Sequence, residues 1–183
     1  MARGQLDAAI DIYRKAISID PVNPSRHSEL ALALIFSKKY AAALEQVHTM
    51  AALAPQFGEH GWVGQVLRLQ GSYESALKEL EQESEGDGHF TQDRILVYDG
   101  LGRRKDADTL LAAMEKTGPE RLAYEIASVY SARGDIDQGL RWLRRAYENS
   151  PVDVWFARVD PDLKNLRSDP RFEAMWSELK LPR

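Results

Sequence analysis

Residues 6–21 read LDAAIDIYRKAISIDP, and residues 40–55 read YAAALEQVHTMAALAP. With a shift of 34 they match at Leu6 and Tyr40, Ala9 and Ala43, Ile10 and Leu44, Tyr13 and Val47, Ala16 and Met50, and Pro21 and Pro55. Within each stretch the apolar positions recur at three- and four-residue steps, the period of a helix with one buried face. Each closes on a proline, and the residue before a proline is pushed out of the helical region. Self-similarity at a fixed period of this length marks stacked helix–turn–helix units, each burying its apolar face on the next. The expected fold is all-α: a solenoid of antiparallel helix pairs forming a right-handed superhelical arc, with nine or more helices and no strand. Such a chain offers a long groove for another polypeptide rather than a pocket for chemistry.

The phase runs on through the chain. Gly71, Tyr73, Ala76 and Leu80 repeat Lys38, Tyr40, Ala43 and Val47 after 33 residues. Gly102, Ala107 and Leu111 stand 31 beyond Gly71, Ala76 and Leu80, and Gly134, Gly139 and Leu143 a further 32 beyond those. Slips of one or two residues fall between units, where a loop loses a residue without disturbing the packed faces. Two helices approach closely only where the crossing residues are small, which places Ala9, Ala43, Ala76 and Ala107 at crossings. Gly71, Gly102 and Gly134 are expected in the turn between the first helix of a pair (helix A) and the second (helix B), where a left-handed conformation costs glycine little.

These residues resemble the tetratricopeptide repeat family. Its pattern of small residue, large residue, glycine, aromatic, alanine, aromatic, alanine and proline is met by Ala127, Tyr130, Gly134, Ile136, Gly139, Leu143, Ala146 and Pro151, and by Gly64, Leu67, Gly71, Tyr73, Ala76 and Leu80. The resemblance covers residues 4 to 151. Two departures stand out. Gly139 replaces an alanine inside a helix, an expected cost of about 0.5–1 kcal/mol. Ile95 occupies the small helix A position of the fourth repeat, so looser packing is expected there.

Residues 1–151 are thus expected to form the repeats and 152–183 a capping segment of the same domain. Gly4 aligns with the turn glycines, so the first repeat is expected to have a helix B over residues 5–19 and no helix A. That points to a longer parent chain or to a subunit covering the edge. At the other end Asp169 can cap a helix starting at Pro170. Phe172, Met175, Trp176 and Leu179 then form one apolar stripe over residues 170–179, as a terminal cap requires. The run from Arg141 to Glu148, with Val159–Pro161 and Leu166–Phe172, also resembles the tails of bacterial multidomain proteins in which such repeats follow a nucleotide cyclase, a winged-helix regulator or a protein kinase. The resemblance implies a regulatory appendage.

Composition bounds the rest. The chain has 183 residues, 44% hydrophobic and 28% charged, an ordinary soluble mixture. No apolar run approaches the roughly 18 residues that span a bilayer, and Met1-Ala2-Arg3-Gly4 has no apolar signal region. A cytoplasmic location is expected. The absence of cysteine excludes disulfides and thiolate chemistry. A net charge of −4 argues against a nucleic-acid surface, and Arg103-Arg104-Lys105 reads as a solvated helix turn.

No catalytic constellation is present. His27, His48, His60 and His89 lack metal-ligand spacing. His60 and Glu59 beside Trp62 read as a solvated loop edge. Gly58, Gly61 and Gly64 have neither the preceding strand nor the lysine of a phosphate loop. The run Glu79, Glu81, Glu83, Glu85 and Asp87 lacks the alternation of a calcium loop. A non-catalytic protein without cofactor or metal is expected.

The resemblance implies that one face of each helix A lines a concave groove. Here that face carries Ser28, Leu32, Ile35 and Phe36 in the second repeat, and Gln65 and Arg68 in the third. Gln92 and Asp99 follow in the fourth, then Tyr124, Ser128 and Ser131 in the fifth. Family members that grip a carboxy-terminal carboxylate use lysine and asparagine where this chain has Ser28 and Leu32, so that use is not expected. The expected function is binding of a partner polypeptide, with Arg68 and Tyr124 as anchors. The alternative is self-association through the edge near residues 4–19 or through the aromatic tail.

Overall fold

The structure, a computed structural model, describes residues 2–83, 88–151, 153–179 and 181. Among these the chain forms eleven α-helices and no strand. They are α1 (Ala2–Ile19), α2 (Pro24–Phe36), α3 (Tyr40–Leu53), α4 (Glu59–Leu69), α5 (Tyr73–Leu80), α6 (Gly88–Gly100), α7 (Arg104–Thr117), α8 (Ala123–Ala132), α9 (Ile136–Asn149), α10 (Lys164–Arg167) and α11 (Pro170–Glu178). Short 3-10 turns occupy Pro55–Phe57, Asp153–Arg158 and Pro161–Leu163. The chain divides into two compact units, Met1–Asp93 and Arg94–Arg183, with the border inside α6.

Four helix ends close in one way. Gly71, Gly102 and Gly134 take φ of 80°, 71° and 79°, and Lys38 takes 59° at the equivalent place. In each case the N–H of the left-handed residue bonds the carbonyl three back, and the next N–H bonds the carbonyl five back from itself. The pairs are Lys38 to Ile35 and Lys39 to Leu34, Gly71 to Arg68 and Ser72 to Leu67, Gly102 to Asp99 and Arg103 to Tyr98, Gly134 to Ser131 and Asp135 to Tyr130. Such paired bonds satisfy carbonyls that the helix end leaves open. Lysine pays for the left-handed conformation with its Cβ, which glycine lacks. Gly4, expected at such a turn, lies inside α1 instead, because the helix starts at Ala2.

In the first unit α2 packs with α3, α4 with α5, α1 against α2, and α3 against α4. Ala43, Val47 and Met50 of α3 and Ala76 and Leu80 of α5 are fully buried. A Cβ at Gly64 would stand 2.6 Å from Leu80 Cγ, so this crossing has no room for alanine on the α4 side. Three residues earlier, a Cβ at Gly61 would come within 2.2 Å of the Phe90 ring. Phe90 also meets Trp62 edge-on, with centroids 5.9 Å apart. The glycine spacing that superficially suggests a phosphate loop therefore serves packing: Gly61 and Gly64 seat a ring and a leucine.

The second unit has two apolar clusters. Ile95, Leu96, Ala107, Leu111, Ile126 and Val129 form one. Ile95, at the small helix A position, is fully buried in it. The other joins Ala127, Leu143 and Ala146 to Val154, Leu163, Leu166, Phe172 and Trp176. Phe172 and Trp176 stack at 5.3 Å. Burying a side chain such as Phe172 or Leu166 stabilises by about 1.5–3 kcal/mol relative to exposure.

The expected cap is present and capped as its sequence indicates: Asp169 accepts a hydrogen bond from Arg171 N, and Pro170 opens α11. It also keeps the spacing of the repeats. Asn165 reaches the Ser131 carbonyl, Arg171 pairs with Asp137 and Arg144 with Glu178, each across 34 residues. The Pro161–Leu163 turn with α10 packs on α8, and α11 packs on α9, so the segment follows the four pairs α2/α3 to α8/α9 as a shortened fifth. Gly139 belongs to this contact, since a Cβ there would lie 2.8 Å from Leu166 Cδ2. Its cost to α9 is offset by the close seat it gives the cap.

Candidate partner-binding faces

In the first unit, Ser28, Leu32 and Phe36 lie half-buried along α2, while Ile35 beside them is fully buried. Ser28 Oγ donates to the Ser25 carbonyl at 2.8 Å. The local helix is set by Asn23, whose side chain accepts from Ser25 N, and by Pro24 in the first turn. Gln65 of α4 is half-buried, and its Oε1 is enclosed without a hydrogen-bond partner.

Arg68 is turned inward. Its Nε donates to Asp93 Oδ1 at 2.5 Å, with both side chains almost fully buried. The expected anchor for a partner's carboxylate is thus committed to an internal one. Gln92, one residue before Asp93, is buried as well.

The second unit spends its face in the same manner. Asp99 accepts from Arg133 Nε at 2.8 Å and Nη2 at 3.2 Å, a two-pronged pair across 34 residues. Arg133 also reaches Asp108 at 2.9 Å. Tyr124 donates its hydroxyl to Asp160 Oδ2 at 2.8 Å, and Asp160 is itself buried, its other oxygen accepting from Asp162 N. Burial, then the Asp160 charge, pushes the Tyr124 hydroxyl well above the usual tyrosine range. Arg167 closes the group by donating to the Ala157 and Asp160 carbonyls, and burial lowers its guanidinium. Ser128 and Ser131 are fully buried, with Ser128 Oγ donating to the Tyr124 carbonyl. Tyr124, expected as a broad partner anchor, holds the cap.

Elsewhere in the first unit, His48 Nδ1 meets Glu59 at 2.5 Å and His60 Nδ1 meets Glu79 at 2.7 Å. Glu83 accepts from Gly61 N at 2.6 Å, so a carboxylate from the end of α5 caps the start of α4. His48, Glu59, His60 and Glu83 border an open cavity of about 540 Å³ with Ala51, Ala52 and Pro55. No hydroxyl or thiol side chain is among these residues, and among the described residues no three His, Cys, Asp or Glu side chains converge as for a metal ion. Part of the acidic run is therefore structural; Glu85 and Asp87, like His89's side chain, lie outside the described residues. Arg103 and Arg104 bond Asp106 and Asp108, and Arg103 stacks over Tyr98, as a helix-start surface would.

Sequence reasoning placed these residues on the correct helix but missed their internal partners Asp93, Arg133 and Asp160. Opposite charges 25 and 34 residues apart were the available signal for Asp93 and Arg133.

A profile of the TPR repeat matches residues 1–35. No curated protein sequence matches the chain. Among solved structures, a thermophilic TPR protein of Thermus thermophilus is 24% identical with a TM-score of 0.59, covering 93% of this chain and 90% of that one. PilF of Pseudomonas aeruginosa is 16% identical with a TM-score of 0.53, covering 97% and 85%. YrrB, described as a TPR protein with an unusual peptide-binding site, is 14% identical with a TM-score of 0.50, covering 93% and 100%. With its helix pairs, left-handed turns and register of about 34 residues, the chain has the all-α fold of the tetratricopeptide-repeat proteins.

Proposed function

We propose that the chain is a protein-interaction module and that a partner polypeptide lies against the helix A face of the first unit. Leu32 and Phe36 supply the apolar contact, with Ser28 and Gln65 beside them. The observation that carries this reading is a difference in burial and polarity. Leu32 and Phe36 remain half-buried on α2, whereas Arg68, Gln92, Asp99, Tyr124 and Ser128 are buried or bonded within the fold. These five shape and stiffen the helix A rows instead of gripping the partner. A fold-mate described as peptide-binding supports the reading by analogy. A regulatory role within a longer bacterial protein, suggested by the resemblance of the tail, belongs to the same proposal, as does a cytoplasmic setting. Among the described residues no helix is long and apolar enough to cross a membrane.

The test is binding to a displayed peptide library by the parent chain and by Leu32→Asp and Phe36→Asp. Selected peptides should lose at least about tenfold in affinity with either variant, helicity being retained. Equal binding by parent and variants would move the site off this face.

A further inference from the structure

Lys38 stands against the backbone preference of its own turn. Its φ of 59° lies in the left-handed region, where the equivalent turns carry Gly71, Gly102 and Gly134. A Cβ added at any of those glycines would meet nothing within 4 Å. Space therefore does not decide the residue: the backbone favours glycine at all four turns, and at one of them lysine stands instead. A cation for the carbonyl end of α2 does not explain it. Lys39 supplies one from the next place with φ of −89°, and Arg103 does so in its own turn with φ of −86°. Along α2, α4 and the turns that follow them, the other Asp, Glu, Lys and Arg side chains are bonded within the fold. Arg26 meets Glu29, Lys39 meets Asp7, Glu59 meets His48 and Arg68 meets Asp93. Lys38 is exposed and has no ion-pair partner among the described residues. It follows Phe36 by two residues, at most about 7 Å of chain, and its flexible stem extends the reach of the ammonium.

We infer that Lys38 selects an acidic partner segment, one in which an Asp or Glu side chain accompanies the apolar side chains seated on Leu32 and Phe36. The inference rests on the groove reading and adds the partner's charge to it. With the neighbouring charges bonded internally, the Lys38 ammonium is the uncompensated charge beside this apolar face, and complementarity favours a carboxylate over a neutral or basic partner. The strained turn fits that role, because strain persists where the side chain it carries serves a function. Lys38 is then a specificity residue, while Leu32 and Phe36 supply the apolar contact.

The experiment selects a displayed library of random peptides, attached through their carboxy termini, on the full chain. Binders are synthesised with amidated ends, each also in a form whose acidic residues are replaced by Asn or Gln. Their affinities are measured for the parent, Lys38→Gly, Lys38→Arg, Leu32→Asp and Lys105→Gln, the last an exposed lysine of the second unit. The expected binders carry an acidic residue beside apolar ones and weaken at least about fivefold with Lys38→Gly, while the melting temperature of that variant does not fall. Lys38→Arg and Lys105→Gln should bind as the parent does, and the neutral peptides should not distinguish Lys38→Gly from the parent. Binders that weaken with Leu32→Asp yet hold equally to the parent and to Lys38→Gly would overturn this inference and leave the groove reading standing. Equal losses in Lys38→Gly and Lys105→Gln would overturn it too, since net charge alone would then act. Binders indifferent to Leu32→Asp, or no binders, would overturn the groove reading and this inference with it.

Discussion

The helix A rows of the two units share one phase and differ in chemistry. In the second unit, Asp99, Tyr124 and Ser131 are joined by charged or hydrogen-bonded rungs to Arg133, Asp160 and Asn165. In the first, one rung joins Arg68 to Asp93, while α2 presents Leu32 and Phe36. The lesson is that repeat phase assigns a side of the helix, and the side chain there decides whether it seals the next repeat or meets a partner. Polar groups with a complementary neighbour one repeat away are consumed by it. A half-buried apolar group such as Leu32 offers surface that those polar groups do not.

The largest expected effect comes from breaking the first unit's rung. Arg68→Ala should destabilise by about 3–5 kcal/mol, because Asp93 is left as a buried charge. Denaturant unfolding measures it, and a loss below about 1 kcal/mol would mean that the pair is wetter than its burial implies.

A rung of the second unit should cost less and carry a pH signature. Tyr124→Phe removes one hydrogen bond to a buried carboxylate, a loss of about 1.5–3 kcal/mol at neutral pH. The native hydroxyl titrates above its unfolded value, so its contribution is complete below about pH 10 and declines as pH rises toward the folded value. Tyr130, raised to about 12 by burial and by its bond to Glu115, adds to the same alkaline decline. Melting curves between neutral and strongly alkaline pH should therefore converge for parent and Tyr124→Phe. A constant gap across that range would refute the linkage.

The smallest effect is a gain. Lys38→Gly should stabilise by about 0.5–1 kcal/mol, the left-handed penalty less glycine's added chain entropy. It would make the turn of the second repeat equal to the other three. A neutral or negative change in thermal unfolding would show that Lys38 contributes more than a turn.

Much of this architecture was legible in the sequence because small residues, turn glycines and prolines report local geometry directly. Ala43 and Ala76 at crossings, three glycine turns and the Asp169–Pro170 helix start all follow from backbone and size constraints. Gly4 was misread for a physical reason: alignment with a turn position does not prevent glycine from continuing a helix. Gly139 looked like a flaw because helix propensity is local, whereas its justification, Leu166, lies 27 residues on. Arg68 and Tyr124 were placed on the correct helices, but phase cannot report what approaches a side chain's polar tip. That depends on Asp93 and Asp160, which belong to the next helix pair.

Gly61 and Gly64 also bear on the order in which the first unit assembles. Each lowers the intrinsic stability of α4 by about 1 kcal/mol relative to alanine, in a helix too short to persist alone. The segment gains its helical form when Phe90 and Leu80 close over the places where its side chains are missing. Formation of α4 is thereby conditional on chain that follows it in sequence. Ala31, the residue at the matching place in α2, keeps its Cβ and is fully buried, so α2 carries no such condition.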